Sequence, residues 1–219
     1  MVKYVIFDMD GTLFDTEPHF ESTWSETGDR WGHPELRSVY FAEVAGRSID
    51  IVKDYLKKRY GESFDPDAFF EDRWVLFKKS VSNGVVEKAG CYELLSYLKE
   101  NGIKTALATS TPNDIAGLYL YKSKLPDYLD AIVFGNEVKR GKPNPDIFLE
   151  AGRRIGANAE ETLVVGDSSF DMLGGHAAGM RPVMVIDRNP PSEEAAKVSY
   201  KVFNSLSEVK ELIKCENNL

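Results

Sequence analysis

Five short, uninterrupted apolar runs constrain this chain more than any other feature: YVIF (4–7), IKTALA (103–108), AIVF (131–134), TLVVG (162–166) and PVMVI (182–186). A strand exposed on one face alternates apolar and polar residues, whereas a strand covered on both faces has no such alternation. Each run is followed by a polar loop and then a helix-like pattern, the signature of a parallel sheet with helices on both sides. The predicted helices lie at about 90–101, 113–123, 145–156, 169–178 and 205–214. Asn101-Gly102 reads as a helix stop, and Asn113 and Ser168 read as caps. The expected fold is α/β, a doubly wound, Rossmann-like parallel sheet.

Residues 15–85 break this rhythm. They hold amphipathic helix patterns over 17–29, 48–60 and 66–82 and no convincing strand. Aromatics are frequent there, among them Trp24, Tyr55, Phe69, Phe70, Trp74 and Phe77, at spacings that suit packing better than ligand stacking. With 219 residues the chain has room for one large core plus a smaller insert. The expected domains are therefore an α/β core of 1–14 and 86–219, and a helical cap of 15–85 over the carboxyl end of the first strand.

The net charge of −8 argues against nucleic-acid binding, which needs a basic surface, so any anionic ligand must meet locally placed cations. No signal peptide or membrane span is apparent. The two cysteines, Cys91 and Cys215, stand far apart and read as ordinary thiols of a reducing compartment. A cytoplasmic monomer is expected.

In open parallel sheets, ligands bind beyond the carboxyl ends of the strands. The polar residues at those ends are Asp8, Asp10, Thr109, Lys142, Asp167 and Asp171. Asp8 and Asp10 belong to the stretch FDMDGTLFDTE (7–17), and residues two apart on an extended chain face the same side. Two carboxylates that close need a cation or a shared proton, and hard oxygen ligands favour Mg²⁺ over zinc. Gly11 lets the backbone turn sharply after them. A calcium loop starting at Asp8 fails, because Leu13 falls where glycine is required and His19 where a bidentate acid is required. Taken singly, Thr109 could end a strand, Lys142 could be a surface lysine, Asp167 could cap a helix and Asp171 could be a first-turn acid.

Taken together, FDMDGTLFDTE, ATST (108–111), Lys142 within RGKPNPDIF and GDSSFD (166–171) resemble the four motifs of the haloacid dehalogenase superfamily. The likeness is to its phosphatase and beta-phosphoglucomutase-like branch, which carries a helical cap after the first strand. That resemblance implies Asp8 as a nucleophile forming an aspartyl-phosphate and Asp10 as general acid and base. It implies Thr109, Ser110 and Lys142 as phosphate-binding residues. It implies Mg²⁺ held by Asp8, the backbone carbonyl of Asp10 and Asp167, with Asp171 assisting. The expected substrate is a small phosphorylated metabolite, a sugar phosphate being the leading class. Glu17, His19, Arg47 and Arg73 are the cap residues that could select it, although a structural histidine weighs equally at position 19 and a surface arginine nearly equally at position 47.

A dehalogenase would not need the second acid, and a receiver-like domain would not need the cap. A mutase must hold a second phosphate, and in the resembling mutases the cap loop reads Gly-x-Ser-Arg with a cation after the second motif. Here the loop reads Gly46-Arg47-Ser48-Ile49, and Pro112 stands in the cation's place. Hydrolysis is therefore the expected reaction, with a mutase and a non-catalytic phospho-ligand-binding protein as the alternatives.

Overall fold

The protein is described by a computed structural model that covers residues 1–45, 47 and 49–218, without the side chains of residues 41 and 42. Six strands, β1 (Tyr4–Phe7), β2 (Lys104–Thr109), β3 (Ala131–Phe134), β4 (Thr162–Gly166), β5 (Arg181–Val185) and β6 (Lys201–Phe203), form one wholly parallel sheet in the order β3-β2-β1-β4-β5-β6. The five apolar runs supply β1 to β5. The sixth strand was not expected, because KVF is short, exposed at Lys201 and Val202, and paired only with β5.

Alternate residues of each strand serve opposite faces. Val5, Phe7, Leu107, Leu163 and Val165 pack with Leu94, Leu95 and Leu98 of α5 (Cys91–Glu100) and with Val209 and Ile213 of α10 (Leu206–Asn217). Ile6, Ala106, Ala108, Val133 and Val164 face Ile147, Phe148, Ala151 and Ile155 of α7 (Asp146–Ile155). Two-sided coverage is what the unbroken apolar runs required. The remaining core helices are α6 (Asn113–Leu120), α8 (Ser169–Ala177) and α9 (Glu193–Val198), the last of which has no counterpart among the expected helices. Ser168 caps α8 as expected; Asn113 does not cap α6, and its backbone N–H instead donates to Asn136 Oδ1 at 3.2 Å.

Between β1 and α5 the chain forms α1 (Glu17–Arg30), α2 (Leu36–Val39), a π-turn (Tyr40–Val44), α3 (Ile49–Tyr60) and α4 (Pro66–Ser80). Phe20, Trp24, Phe69, Phe70 and Phe77 interlock, with Phe20 stacked on Phe77 at 4.4 Å and Trp24 edge-on to Phe69 at 5.3 Å. Trp24 is wholly buried and donates its Nε1–H to Leu36 O. The two connections of this block to the sheet lie side by side. Asp15 N donates to Val86 O, Lys88 N donates to Leu13 O, and Phe14 pairs antiparallel with Glu87.

Candidate active site

The strand order reverses at β1, so its carboxyl end lies beside that of β4 at the point where open α/β sheets leave a crevice. Asp8 directly follows β1, and Asp167 directly follows β4. Gly11 has φ +81°, and a Cβ there would collide with the Asp167 carboxylate. The residue is glycine for both reasons.

Lys142 ties the site together. Its Nζ donates to Asp8 Oδ1 at 2.5 Å and to Ala108 O at 2.9 Å, and pairs with Asp171 Oδ1 at 2.7 Å. Only 2% of the residue is exposed, so the surface-lysine alternative is removed. Burial alone would lower its pKa, but Asp171 and Asp8 outweigh that and hold it above the usual lysine value. Asp171 fills both of its possible roles. It completes the cap of α8, with its Oδ2 accepting from Ser168 N at 3.1 Å and from Ser168 Oγ, while its Oδ1 pairs with Lys142.

Asp10 is held by hydroxyls. Tyr119 donates to its Oδ1 at 2.6 Å, and Thr111 and Thr109 donate to its Oδ2 at 2.7 and 3.3 Å. Thr109 also accepts from Thr111 N at 3.1 Å, whereas the neighbouring Ser110 hydroxyl is buried without a partner among the described residues. Tyr119 and Thr111 escaped the sequence reading. Thr111 closes the ATST stretch, but Tyr119 in α6 looks like an ordinary core aromatic, and it does pack edge-on against Phe14.

One ammonium faces several carboxylates here. Asp8, Asp167 and Asp171 each offer an oxygen, all within 4.8 Å of one another. Asp167 has no cationic partner among the described residues and accepts only from Thr12 Oγ1 at 3.1 Å. Burial, only partly offset by Lys142, pushes Asp8 up to about 8. Burial also raises Asp10, and together with Asp8 and Asp171 it raises Asp167 well above the usual range. A surplus of buried and half-buried oxygen donors, with no histidine or cysteine among them, fits a hard divalent cation.

These groups open into a cavity of about 620 Å³ whose other wall comes from the helical block: Glu17, Phe20, Trp24, Tyr40, Arg47 and Arg73 line it. Arg47 lies over the Phe170 ring at 5.6 Å and pairs with Glu43 at 3.4 Å. Gly46 and Ser48 of the same loop lie outside the described residues. His19 is not brought to the cavity. Its Nδ1 meets Ser80 Oγ at 3.2 Å, joining α1 to α4. Helical geometry explains the difference: Glu17, Phe20 and Trp24 share one face, and His19 is turned about 200° from Glu17.

A family model for haloacid dehalogenase-like hydrolases matches residues 5–185. A phosphorylated carbohydrates phosphatase of Thermotoga maritima is 32% identical over 187 residues, covering 83% of this chain and 84% of that protein. A fructose-1-phosphate phosphatase of Escherichia coli is 30% identical over 185 residues, covering 83% and 95%. The solved structure of a hydrolase from Pseudomonas syringae superposes with a TM-score of 0.82 at 26% identity, covering 96% of this chain and 99% of that one. With its sheet order and the residues at its strand ends, this chain belongs to the haloacid dehalogenase-like hydrolase family.

Proposed function

We propose that this protein is a Mg²⁺-dependent phosphatase that hydrolyses a small phosphomonoester, in the first instance a sugar phosphate, through an aspartyl-phosphate on Asp8. The observation that carries the reading is the buried Asp8–Lys142–Asp171 arrangement beside Asp167 and Asp10, on the floor of a cavity roofed by helices. Phosphatases among its relatives support it.

In this reading a carboxylate oxygen of Asp8 attacks phosphorus as the P–O bond to the leaving alcohol breaks, and Asp10 gives that oxygen its proton. Asp10, now a base, takes a proton from water, whose oxygen attacks the same phosphorus. Phosphate leaves and the Asp8 carboxylate is restored. Lys142 neutralises charge on the transferring group, with Thr109 and Ser110 as further phosphate ligands, the Ser110 hydroxyl being the one without another partner among the described residues. Asp8, the Asp10 carbonyl and Asp167 would hold Mg²⁺, with Asp171 assisting; bound there, the ion supplies Lewis-acid stabilisation of the phosphoryl oxygens.

Residues 15–85 act as a cap that selects the substrate and excludes water. Its hinges lie at the paired connections near Asp15 and at Asn83-Gly84, where Gly84 has φ +95°. Glu17 and Arg47 line the cavity and face the leaving group, while His19 serves the fold.

The test is an Asp8→Asn variant assayed on a panel of small phosphomonoesters. Turnover and phosphoenzyme should both be lost, and retained turnover would overturn the nucleophile. β-Glucose 1-phosphate with a trace of the bisphosphate separates the mutase: glucose 6-phosphate appearing faster than free phosphate would replace hydrolysis by isomerisation.

A further inference from the structure

Three arginines, Arg47, Arg73 and Arg188, line the cavity, and their partners differ. Arg47 pairs with Glu43, and Arg188 lies 3.9 Å from Asp187. Arg73, on α4, is only 4% exposed, and its guanidinium makes no ion pair and no hydrogen bond among the described residues. What surrounds it is aromatic: Trp74 at 4.8 Å, Phe20 at 5.2 Å, Trp24 at 5.7 Å and Phe70 at 5.9 Å from the guanidinium carbon. Ring faces compensate part of the cost of burying this cation, but they satisfy none of its N–H donors. Tyr40, Glu17 and Asp10 act on it only from beyond ion-pair distance. A buried cation without a contact counter-ion on a cavity is poised for an anion that arrives with the ligand.

Glu17 stands on the same wall. It is buried, and although Tyr40 is hydrogen-bonded to its carboxyl, its Oε2 has no hydrogen-bond partner among the described residues. The wall thus presents an unused acceptor and an unused bidentate donor, far richer than a neutral alcohol alone would need. The geometry of a guanidinium, a planar fork of N–H groups, matches carboxylate or phosphate oxygens.

We infer that Arg73 forms a second-anion subsite, so that the leaving alcohol of the substrate carries a carboxylate or a further phosphate in addition to the phosphoryl group placed at Asp8. This deepens the phosphatase reading and rests on it. The four rings around Arg73 exclude water from the pair, and Glu17 accepts from a hydroxyl of the same alcohol.

Two matched pairs test it and separate the two sources of charge. 3-Phosphoglycerate against glycerol 3-phosphate exchanges a carboxylate for a hydroxymethyl group. Fructose 1,6-bisphosphate against fructose 1-phosphate adds a phosphate. In at least one pair kcat/KM should favour the anion-bearing member by about thirtyfold or more, the loss expected when a buried charged partner is missing. Arg73→Met should bring that ratio close to one, and Arg73→Lys should restore part of it. A ratio near one in both pairs, or a ratio indifferent to Arg73→Met, overturns the subsite.

Folding is checked in the same variant. Removing an unpaired buried charge should leave Tm unchanged or higher, whereas a fall of several degrees with the ratio intact would make Arg73 a structural anchor instead. If none of the four compounds is hydrolysed, the subsite is still tested by binding, separately from the phosphatase reading. Calorimetry of 3-phosphoglycerate and fructose 1,6-bisphosphate on Asp8→Asn, with and without Arg73→Met, should show one affinity falling by a similar factor. Unchanged affinities for both overturn it.

Discussion

Glu17 sits where burial, followed by the charges of Asp10 and Asp187, pushes its carboxyl from an ordinary 4.5 up to about 7. The folded protein therefore binds this proton more tightly than the unfolded chain does. Between those two pH values the unfolded chain releases it first, so stability falls as pH rises and the full penalty is present above 7. At about 1.4 kcal/mol per unit the penalty is about 3 kcal/mol. Glu17→Gln is neutral throughout and should gain on the wild type by that amount between pH 4.5 and 8, measured by denaturant unfolding at both ends. A difference between the two proteins that does not change with pH would show that the carboxyl is ionised in the folded state without penalty. A carboxyl that is costly to bury and lines the cavity is what the proposed contact of Glu17 with a ligand calls for. Legibility at this scale followed residue type. Asp8, Asp10, Lys142 and Asp167 were visible as clustered charges at strand ends, where an apolar core has no use for them. Arg73 gave only a faint signal, because a lone arginine on a helix reads as solvated, and only the rings packed around it show otherwise.

Helix α8 shows how an element serves the site through its first turn. Ser168 Oγ accepts from Asp171 N while the Asp171 carboxylate accepts from Ser168 N, a reciprocal cap that also aims Asp171 Oδ1 at Lys142. Ser168→Ala should cost about 1 kcal/mol, a fall in Tm of about 2–4 °C, read by thermal unfolding. An unchanged Tm would mean that Asp171 is held by Lys142 alone. Strands β1 to β5 and the major helices were legible because burial on both faces leaves an unbroken apolar run, which few other environments permit. Strand β6 and helix α9 were not, since an exposed three-residue edge strand and a six-residue helix are fixed by their neighbours rather than by their own pattern. Within the helical block, periodicity placed the helices but not their rotation, so Glu17 and His19 could not be told apart until α1 was seen against α4.

The molecule as a whole brings a helical block and an α/β layer together around one cavity. The apolar cluster is continuous between them, because Tyr119 packs against Phe14 at 5.2 Å and Phe77 at 6.2 Å. Lys88 reinforces the junction, meeting Asp187 at 2.6 Å and Asp15 at 3.5 Å beside the paired connections. Against that cohesion stand the carboxylates at the end of β1 and β4, where Asp167 has neither cation nor second donor among the described residues. Concentrating like charge in a buried site lowers the stability of the whole fold, since every one of these groups is better solvated in the unfolded chain. A divalent cation binding only the folded state reverses that penalty by mass action. At a Mg²⁺ concentration a hundred times its Kd, the gain is about 2.7 kcal/mol, or about 5–10 °C in Tm for a chain of this size. Thermal unfolding in EDTA and across a Mg²⁺ titration should show that rise in the wild type and little of it in Asp167→Asn. The reading needs no turnover, so it tests the ion site independently of the substrate. A Tm indifferent to Mg²⁺ would remove the ion from the site.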